Sequence, residues 1–276
     1  MSIFLRDAFL AGTGIGLAAG VVGYFLVLRA QVFTADALSH VAFTGAFAAL
    51  ALGLDVRLGL FAVTVLVALG MGAAGRRARP DDVVIGGAYA WILGLGVLLL
   101  TVYTTGRHSA SNGAASVVVL FGSIFGLSTG RAAVAAGIGL AVCLLIVLIA
   151  RPLLFASLDP LMAAARGVPV RLLGFAFLAL VGATAAEATQ AVGALLILGL
   201  VAAPAGAAVR LTTNPYRGLA LSAGIAVGSV WAGLAASWLV PVLPPSFTIL
   251  GVASAAFAGS FLVRRRAADL RPRASV

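Results

Sequence analysis

The chain has 276 residues, of which 62% are hydrophobic and 9% are charged, and its mean hydropathy is +1.16. Soluble domains have about 25% charged residues, so this composition excludes an ordinary soluble protein and indicates an integral membrane protein. All 18 basic residues are arginines, and they are scattered between apolar runs instead of forming one face that binds nucleic acid. The single cysteine, Cys143, excludes an internal disulfide and a cysteine-rich metal site.

Apolar runs of near-span length recur along the chain, and about 20 residues in an α-helix cross about 30 Å of hydrocarbon. The first run follows Arg6 and Asp7 without a small-residue cleavage site, so we expect a retained helix and not a signal peptide. The run VVVLFGSIFGL at 117–127 covers only about half the hydrocarbon and is predicted to be a short or re-entrant helix. The predicted spans are 8–28, 36–54, 58–75, 83–105, 132–150, 172–189, 191–209, 218–240 and 246–263.

The arginines predict the orientation of these spans, because cytoplasmic loops of membrane proteins are rich in basic residues. If the tail RRRAADLRPRASV is cytoplasmic and residues 117–127 do not cross, fourteen of the 18 arginines face the cytoplasm, and four lie outside: Arg6, Arg57, Arg107 and Arg131. If residues 117–127 do cross, the split becomes 13 to 5, so the first arrangement is favoured. In both arrangements the loop 151–171 is cytoplasmic. We predict one transmembrane domain over residues 1–276, an all-α polytopic bundle of about 8–9 spans plus the short helix.

The stretch TADALSHVAFTG, residues 34–45, places an acid and an imidazole four residues apart. On a helix, Asp36 and His40 point to the same side and can share one ligand. Ionisable residues at membrane depth are costly and often functional, and a carboxylate with a neutral imidazole suits Zn²⁺, Mn²⁺ or Fe²⁺. The alternative is that Asp36 caps the helix N-terminus and His40 lies near the interface. Two ligands do not complete a coordination sphere, so a metal site here also needs other helices, water or a symmetry mate.

The cytoplasmic loop contains SLDPLMAAARGVPVR, residues 157–171. Asp159 is a good N-cap, Pro160 fits the first helical position, and Gly167 fits the residue after the helix end. These signals predict a helix of about seven residues. Such a short, sharply bounded helix is either a part presented to another protein or a plain connector.

Two further features fall in the C-terminal half. Pro204 lies inside an apolar helix, where it removes one hydrogen bond and favours a kink, either for transport or in a static bundle. Glu187, with Gln190, lies at the outer end of a span and is either simply solvated there or part of a path by which metal gains access. The small-residue pairs Gly16-x-x-x-Gly20 and Gly224-x-x-x-Gly228 predict closely packed helices.

Four segments together resemble the permease subunits of metal-ion ABC importers, which move zinc, manganese or iron with a separate ATPase and a substrate-binding protein. The resemblance covers nearly the whole chain. In chain order, the segments are GYFLVLRAQVFTADALSHVAFTG, VVVLFGSIFGLS, LDPLMAAARGVPV and AVGALLILGLVAAPAGAA. The sequence has no Walker A, G-x-S-x-G or H-E-x-x-H motif in a supporting context, so ATP-driven transport would need a separate ATPase chain.

The resemblance implies an importer permease in a bacterial plasma membrane, working as a dimer with two ATPase chains and receiving metal from an extracytoplasmic binding protein. It also implies that Asp36 and His40 belong to a metal site in the permease pathway. The segment Asp159, Pro160, Ala163 and Gly167 would couple to the ATPase. Three positions depart from the family pattern. Thr44 stands before Gly45, where the family usually has proline. Ser123 stands in the segment VVVLFGSIFGLS, where an acidic or polar residue is common, and Leu161 follows Pro160, where an acid is frequent.

The first functional hypothesis is therefore a permease that imports a divalent metal, zinc or manganese, without a permanently bound cofactor and without being an enzyme itself. The alternative is a secondary metal carrier coupled to protons or sodium. Such carriers usually bury several acidic residues and often consist of two related halves, neither of which is evident here. An intramembrane enzyme or a structural subunit is the third possibility.

Overall fold

The structure is a computed structural model, and it describes residues 3–75, 79–105, 122, 124–194 and 197–269. In those residues the chain forms ten α-helices and a 3₁₀ turn at Ile124–Gly126. The predicted short helix at 117–127 and the departure at Ser123 lie mostly outside the described residues. The helices are α1 (Ile3–Leu28), α2 (Val32–Leu52), α3 (Val56–Ala74), α4 (Asp82–Thr105), α5 (Thr129–Leu158), α6 (Pro160–Ala165), α7 (Val170–Val192), α8 (Ile197–Leu211), α9 (Pro215–Leu239) and α10 (Pro245–Asp269).

Eight of these helices are long and apolar enough to cross a membrane: α1 to α5, α7, α9 and α10. This count and the all-α bundle confirm the predicted fold class. The seventh predicted span, 191–209, differs from the observed α8, which has 15 residues and begins at Ile197. At about 1.5 Å per residue, α8 is about 22 Å long and is shorter than the hydrocarbon core.

Local signals explain several helix ends. Asp55 caps α3 by accepting a hydrogen bond from the Arg57 backbone N–H at 2.8 Å. Gly53 ends α2 in the left-handed region, with φ of 70°. Glycine adopts this conformation without strain because it has no Cβ atom. Asn214 caps α9, whose first residue is Pro215. These residues fix the positions of the turns that connect the spans.

Helix α1 is at the centre of the bundle, where it packs against α5, α7, α8 and α9. Small residues allow this close approach. A Cβ on Gly14 would lie 2.5 Å from the Cα of Ala136 on α5, and one on Gly20 would lie 2.6 Å from the Cα of Ala223 on α9. The Gly16–Gly20 pair is therefore a packing motif, as predicted. A Cβ on Gly224 or Gly228 would meet open space instead.

Two hydrogen bonds made by arginine side chains mark the two ends of the bundle. At the first, which we call the Arg29 end, Arg79 Nη2 donates to the carbonyl oxygen of Arg29 at 3.1 Å. At the other, the Arg57 end, Arg57 Nη2 donates to the carbonyl oxygen of Arg131 at 3.3 Å. The arginine distribution predicts the same grouping, with residues 29 and 79 on one side and residues 57 and 131 on the other.

Candidate metal site

Asp36 and His40 lie on α2 near the Arg29 end. Helix α2 begins at Val32, and its N-cap is Gln31, which makes no capping hydrogen bond with its side chain. The alternative in which Asp36 caps this helix is therefore wrong. Asp36 is one turn inside α2 and half-buried, while His40 is two turns inside and 8% exposed.

An open cleft of ≈ 410 Å³ lies beside Asp36, between α2 and α4. Tyr89 covers His40 in an edge-to-face contact with 5.1 Å between the ring centroids. Asp82 places a second carboxylate at the same cleft. The lining residues are Phe33, Asp36, Ala37, Asp82, Ile85, Gly86 and Tyr89.

Sequence reasoning missed Asp82 and Tyr89. The signal was present, because the α4 residues at the cleft follow the spacing of one helical face, at positions 82, 85, 86 and 89. What the sequence lacked was any sign that this face of α4 packs against the face of α2 that carries Asp36. That packing joins residues nearly fifty positions apart.

The donor set at the cleft suits a divalent ion but does not enclose one. Among the described residues, no three His, Cys, Asp or Glu side chains are close enough together to hold a metal ion. A carboxylate and an imidazole at i and i+4 can contribute two ligands, and the remaining positions would be filled by water or by groups that approach when the helices move.

Thr44, where the family pattern has proline, joins α2 to α4. It is 5% exposed, and its hydroxyl lies 3.2 Å from the His40 carbonyl oxygen and 3.1 Å from that of Ile92. One hydroxyl proton serves either oxygen. Gly45, the next residue, allows α2 to approach α3, because a Cβ there would lie 2.5 Å from the carbonyl oxygen of Gly59.

The chain leaves helical geometry beside this site, between α7 and α8. Gly193 ends α7 with φ of 91°, a conformation that other residues rarely adopt. The next residue, Ala194, is fully buried, and its carbonyl oxygen accepts a hydrogen bond from Ser39 Oγ at 2.8 Å. Non-helical backbone at membrane depth requires such partners because no bulk water is available. Ser39 immediately precedes His40, so this break in the helix is tied to the candidate site.

Glu187 is buried, with 3% exposure, so its solvated alternative is wrong. Its Oε1 pairs with Arg57 Nη2 at 3.2 Å, and Arg57 Nε donates to Gln190 Oε1 at 3.1 Å. Arg57 therefore joins α3 to α7 and, through the carbonyl oxygen of Arg131, to α5. This cluster therefore holds three helices together at the Arg57 end of the bundle.

The predicted helix in the loop 151–171 is present as α6, with six residues instead of about seven. Asp159 Oδ1 accepts from the backbone N–H groups of Leu161 and Met162 at 3.1 and 2.9 Å. Gly167 has φ of 81°, as its predicted position after the helix end requires. Pro160 occupies the first turn.

One face of α6 is buried and the other is exposed. Ala163 is fully buried and fixes the helix to the bundle, whereas Leu161 and Met162 are 66% and 51% exposed. If α6 binds a partner, these two apolar side chains face it, and Ala163 does not. Pro204 lies in the middle of α8, which is assigned as one helix from Ile197 to Leu211, and the kink there stays a prediction.

The comparisons with known proteins agree along nearly the whole chain. The profile of the ABC 3 transport family matches residues 1–267. The manganese transport system membrane protein MntC of Halalkalibacterium halodurans is 32% identical over 259 residues, covering 94% of this chain and 86% of that protein. The manganese import system permease protein ScaB of Streptococcus parasanguinis is 29% identical over 223 residues, covering 80% of this chain and 77% of that protein.

A solved structure extends the likeness to three dimensions. A chain of PsaBC from Streptococcus pneumoniae, in complex with Fab, superposes with a TM-score of 0.83 and 27% sequence identity, covering 98% of this chain and 96% of that chain. The eight candidate spans agree with a permease that crosses the cell membrane several times. This chain therefore belongs to the ABC 3 transport family.

Proposed function

We propose that the chain imports a divalent transition metal, with manganese as the cargo, as the membrane subunit of an ABC importer. The observation that carries this proposal is the pair of Asp36 and His40 on one face of α2, beside an open cleft with a second carboxylate, Asp82. The names of the relatives MntC and ScaB, which describe manganese transport, support it. ATP hydrolysis takes place in a separate chain.

The donor types favour manganese over zinc. The side chains that line the cleft include two carboxylates, Asp36 and Asp82, while the imidazole of His40 lies beside it against Tyr89, so oxygen donors outnumber nitrogen donors there. Carboxylate and water suit Mn²⁺, whereas sites rich in imidazole or thiolate favour Zn²⁺. Zinc remains an outcome of the test below.

In this proposal the ATPase docks on α6. Leu161 and Met162 offer an exposed apolar contact, and the caps at Asp159 and Gly167 keep the helix short and fixed. Helix α6 connects α5 directly to the start of α7, so a force on it acts on both spans. Such a force is the way in which closure of the ATPase becomes helix movement.

Helix α7 provides a continuous route from α6 to the metal. It ends at Gly193, and the following carbonyl of Ala194 bonds Ser39, the neighbour of His40. Movement of α7 therefore displaces the backbone beside the candidate ligands. Metal enters from a binding protein at the Arg57 end, and it is released at the Arg29 end through the cleft beside Asp82. A second permease copy completes the importer.

The test is accumulation of manganese, zinc and iron in metal-starved cells that express the chain with its ATPase. We expect Asp36→Ala and His40→Ala to abolish uptake of manganese at equal membrane abundance. Asp55→Asn is the matched control, because it removes a carboxylate charge from the same helical hairpin at the other end while retaining the cap of α3.

Three outcomes would contradict the proposal. Undiminished manganese uptake in both variants would exclude this pair as the cargo site. Loss of zinc uptake alone would replace manganese by zinc. Uptake that continues without the ATPase, and depends on a proton or sodium gradient, would favour the secondary carrier.

A further inference from the structure

Arg29, in the turn between α1 and α2, is a buried cation without a counter-ion in the described part of the chain. It is 3% exposed, and its Nε, Nη1 and Nη2 atoms have no hydrogen-bond partner in the residues that the structure describes. Its guanidinium lies over the ring of Phe177 on α7, with Cζ 4.9 Å from the centroid. This cation–π contact stabilises the positive charge, but it leaves the five N–H groups of the guanidinium without hydrogen-bond acceptors. Buried polar groups are normally hydrogen-bonded, so these donors indicate a missing partner.

A second arginine lies next to the first. Arg79 Nη2 donates to the carbonyl oxygen of Arg29 at 3.1 Å, which holds the loop before α4 against the turn. The pKa of Arg29 is lowered to about 10, mainly because the side chain is buried and also because the positive charge of Arg79 lies nearby. Burial also lowers the pKa of Arg79. Arg29 nevertheless remains protonated at neutral pH, so the turn holds two adjacent positive charges.

Other polar atoms at the start of α2 also have no partner among the described residues. Gln31 Nε2 donates to the carbonyl oxygen of Pro80 at 3.2 Å, but Gln31 Oε1 is buried and unpartnered, as is Thr34 Oγ1. Unpartnered polar atoms of three residues thus lie within six positions of the chain. Burying a polar group without a hydrogen bond costs free energy, because the group loses its hydration. Three such groups close together therefore indicate that a polar partner binds to them.

We propose that Arg29 and Arg79 bind a phosphate group at the Arg29 end of the bundle. Guanidinium groups match phosphate oxygens with paired hydrogen bonds, and two positive charges suit an anion that carries one or two negative charges. The turn directly follows Leu28, the last residue of the candidate α1 span, and the ends of membrane-spanning helices generally lie near the polar headgroups of the bilayer. The phosphate belongs either to an anionic lipid headgroup or to a free phosphate ion.

The experiment uses the complete transporter, permease with ATPase, in nanodiscs. One set contains phosphatidylglycerol diluted in a zwitterionic lipid, and native mass spectrometry counts the phosphatidylglycerol molecules retained per permease. The other set contains zwitterionic lipid alone, and inorganic phosphate is titrated while thermal stability is followed. Arg29→Gln removes the buried positive charge. Arg29→Lys keeps the charge but lacks the paired N–H donors of a guanidinium group. Arg151→Gln is the control, since Arg151 is an exposed arginine about two turns before the end of α5.

We expect the wild type and Arg151→Gln to retain phosphatidylglycerol or to be stabilised by phosphate, and Arg29→Gln to bind at least about tenfold more weakly. Arg29→Lys should fall between them. Retention of the lipid without an effect of phosphate identifies a headgroup, and the reverse identifies a free ion. If Arg29→Gln does not fold, Arg79→Gln provides the same comparison with Arg29 intact. The proposal is overturned if the wild type binds neither form, or if the Arg29 or Arg79 variants bind as tightly as Arg151→Gln.

Discussion

Ser39→Ala tests the link between the metal site and the break after α7. The Ser39 hydroxyl lies 2.8 Å from the Ala194 carbonyl oxygen and 2.7 Å from that of Asp36, so one proton is shared between two acceptors. The Asp36 carbonyl lies within α2, whereas Ala194 lies outside a helix and is fully buried. Removal of the hydroxyl therefore deprives Ala194 of this donor.

The size of the effect follows from two known ranges. Hydrogen bonds between membrane helices contribute on average about 0.6 kcal/mol and at most about 1.7. A buried carbonyl left without a partner costs about 1–3 kcal/mol. We expect Ser39→Ala to destabilise the protein by about 1–2 kcal/mol. The hydrogen bond itself contributes less than usual because its proton is shared between two acceptors. The unpaired carbonyl of Ala194 costs more than usual because it lies outside a helix.

The matched control is Ser229→Ala. Ser229 is also buried, at 2% exposure, but its hydroxyl donates at 2.7 Å to the Ile225 carbonyl oxygen within the same helix. Both variants lose a buried serine hydroxyl, but only Ser39→Ala removes a hydrogen bond between two different parts of the fold. The assays are thermal unfolding of the purified transporter and manganese uptake into proteoliposomes, with the ATPase rate measured in parallel.

For Ser39→Ala we expect a lower unfolding temperature and a lower maximal uptake rate, while ATP hydrolysis continues, because α7 no longer moves the backbone beside His40. Ser229→Ala should retain uptake. Equal stability and equal uptake in the two variants would refute the reasoning, since the bond to Ala194 would then contribute nothing beyond a local serine contact.

Three further predictions concern packing, charge and capping. Gly45→Ala should destabilise the transporter by about 1–3 kcal/mol in thermal unfolding, because its new Cβ meets the α3 backbone at 2.5 Å; Gly70→Ala, which meets open space, should not. Arg57→Met should destabilise by about 3 kcal/mol by leaving Glu187 buried and unpaired, and Glu187→Gln in the same chain should restore most of it; a double variant no more stable than the single one would contradict this pairing. Asp159→Ala should lower the coupling of ATP hydrolysis to uptake by weakening the cap of α6, with a local cost of about 1 kcal/mol, while Asp159→Asn should behave like the wild type in the same proteoliposomes.

Predictions that rest on local chemistry agree best with the structure. The caps and stop of α6 are read from Asp159, Pro160 and Gly167, all within nine residues, and the helix is shorter than predicted by only about one residue. The candidate ligands share a face of α2 as the i, i+4 spacing requires. The start of α2 was misread, because Gln31 offers no capping bond and the helix nevertheless begins four residues before Asp36.

The errors occur where a residue's partner is distant in sequence. One of the two interpretations of Glu187 places it in solvent, whereas it is buried against Arg57, 130 positions away; the other interpretation, a path for metal, stays a prediction. The span predicted at 191–209 is divided by Gly193, although the hydropathy of AVGALLILGL is that of an unbroken helix. A glycine in an apolar run fits either a packed helix or a stop, and only its neighbours decide between them.

By itself, the sequence determined the membrane class, the approximate spans, the grouping of loops at two ends and the short capped helix α6. Composition, segment length and capping are local properties, and the bilayer leaves the backbone few alternatives to a helix. Tertiary structure alone decided which helix faces form the cleft of Asp36 and Asp82, and that Ser39 supports the broken backbone at Ala194, 155 positions away. It also decided that Arg29 is buried with no acidic partner among the residues that the structure describes. These features depend on which apolar faces pack together, and nearly uniform hydrophobicity carries almost no information about that choice.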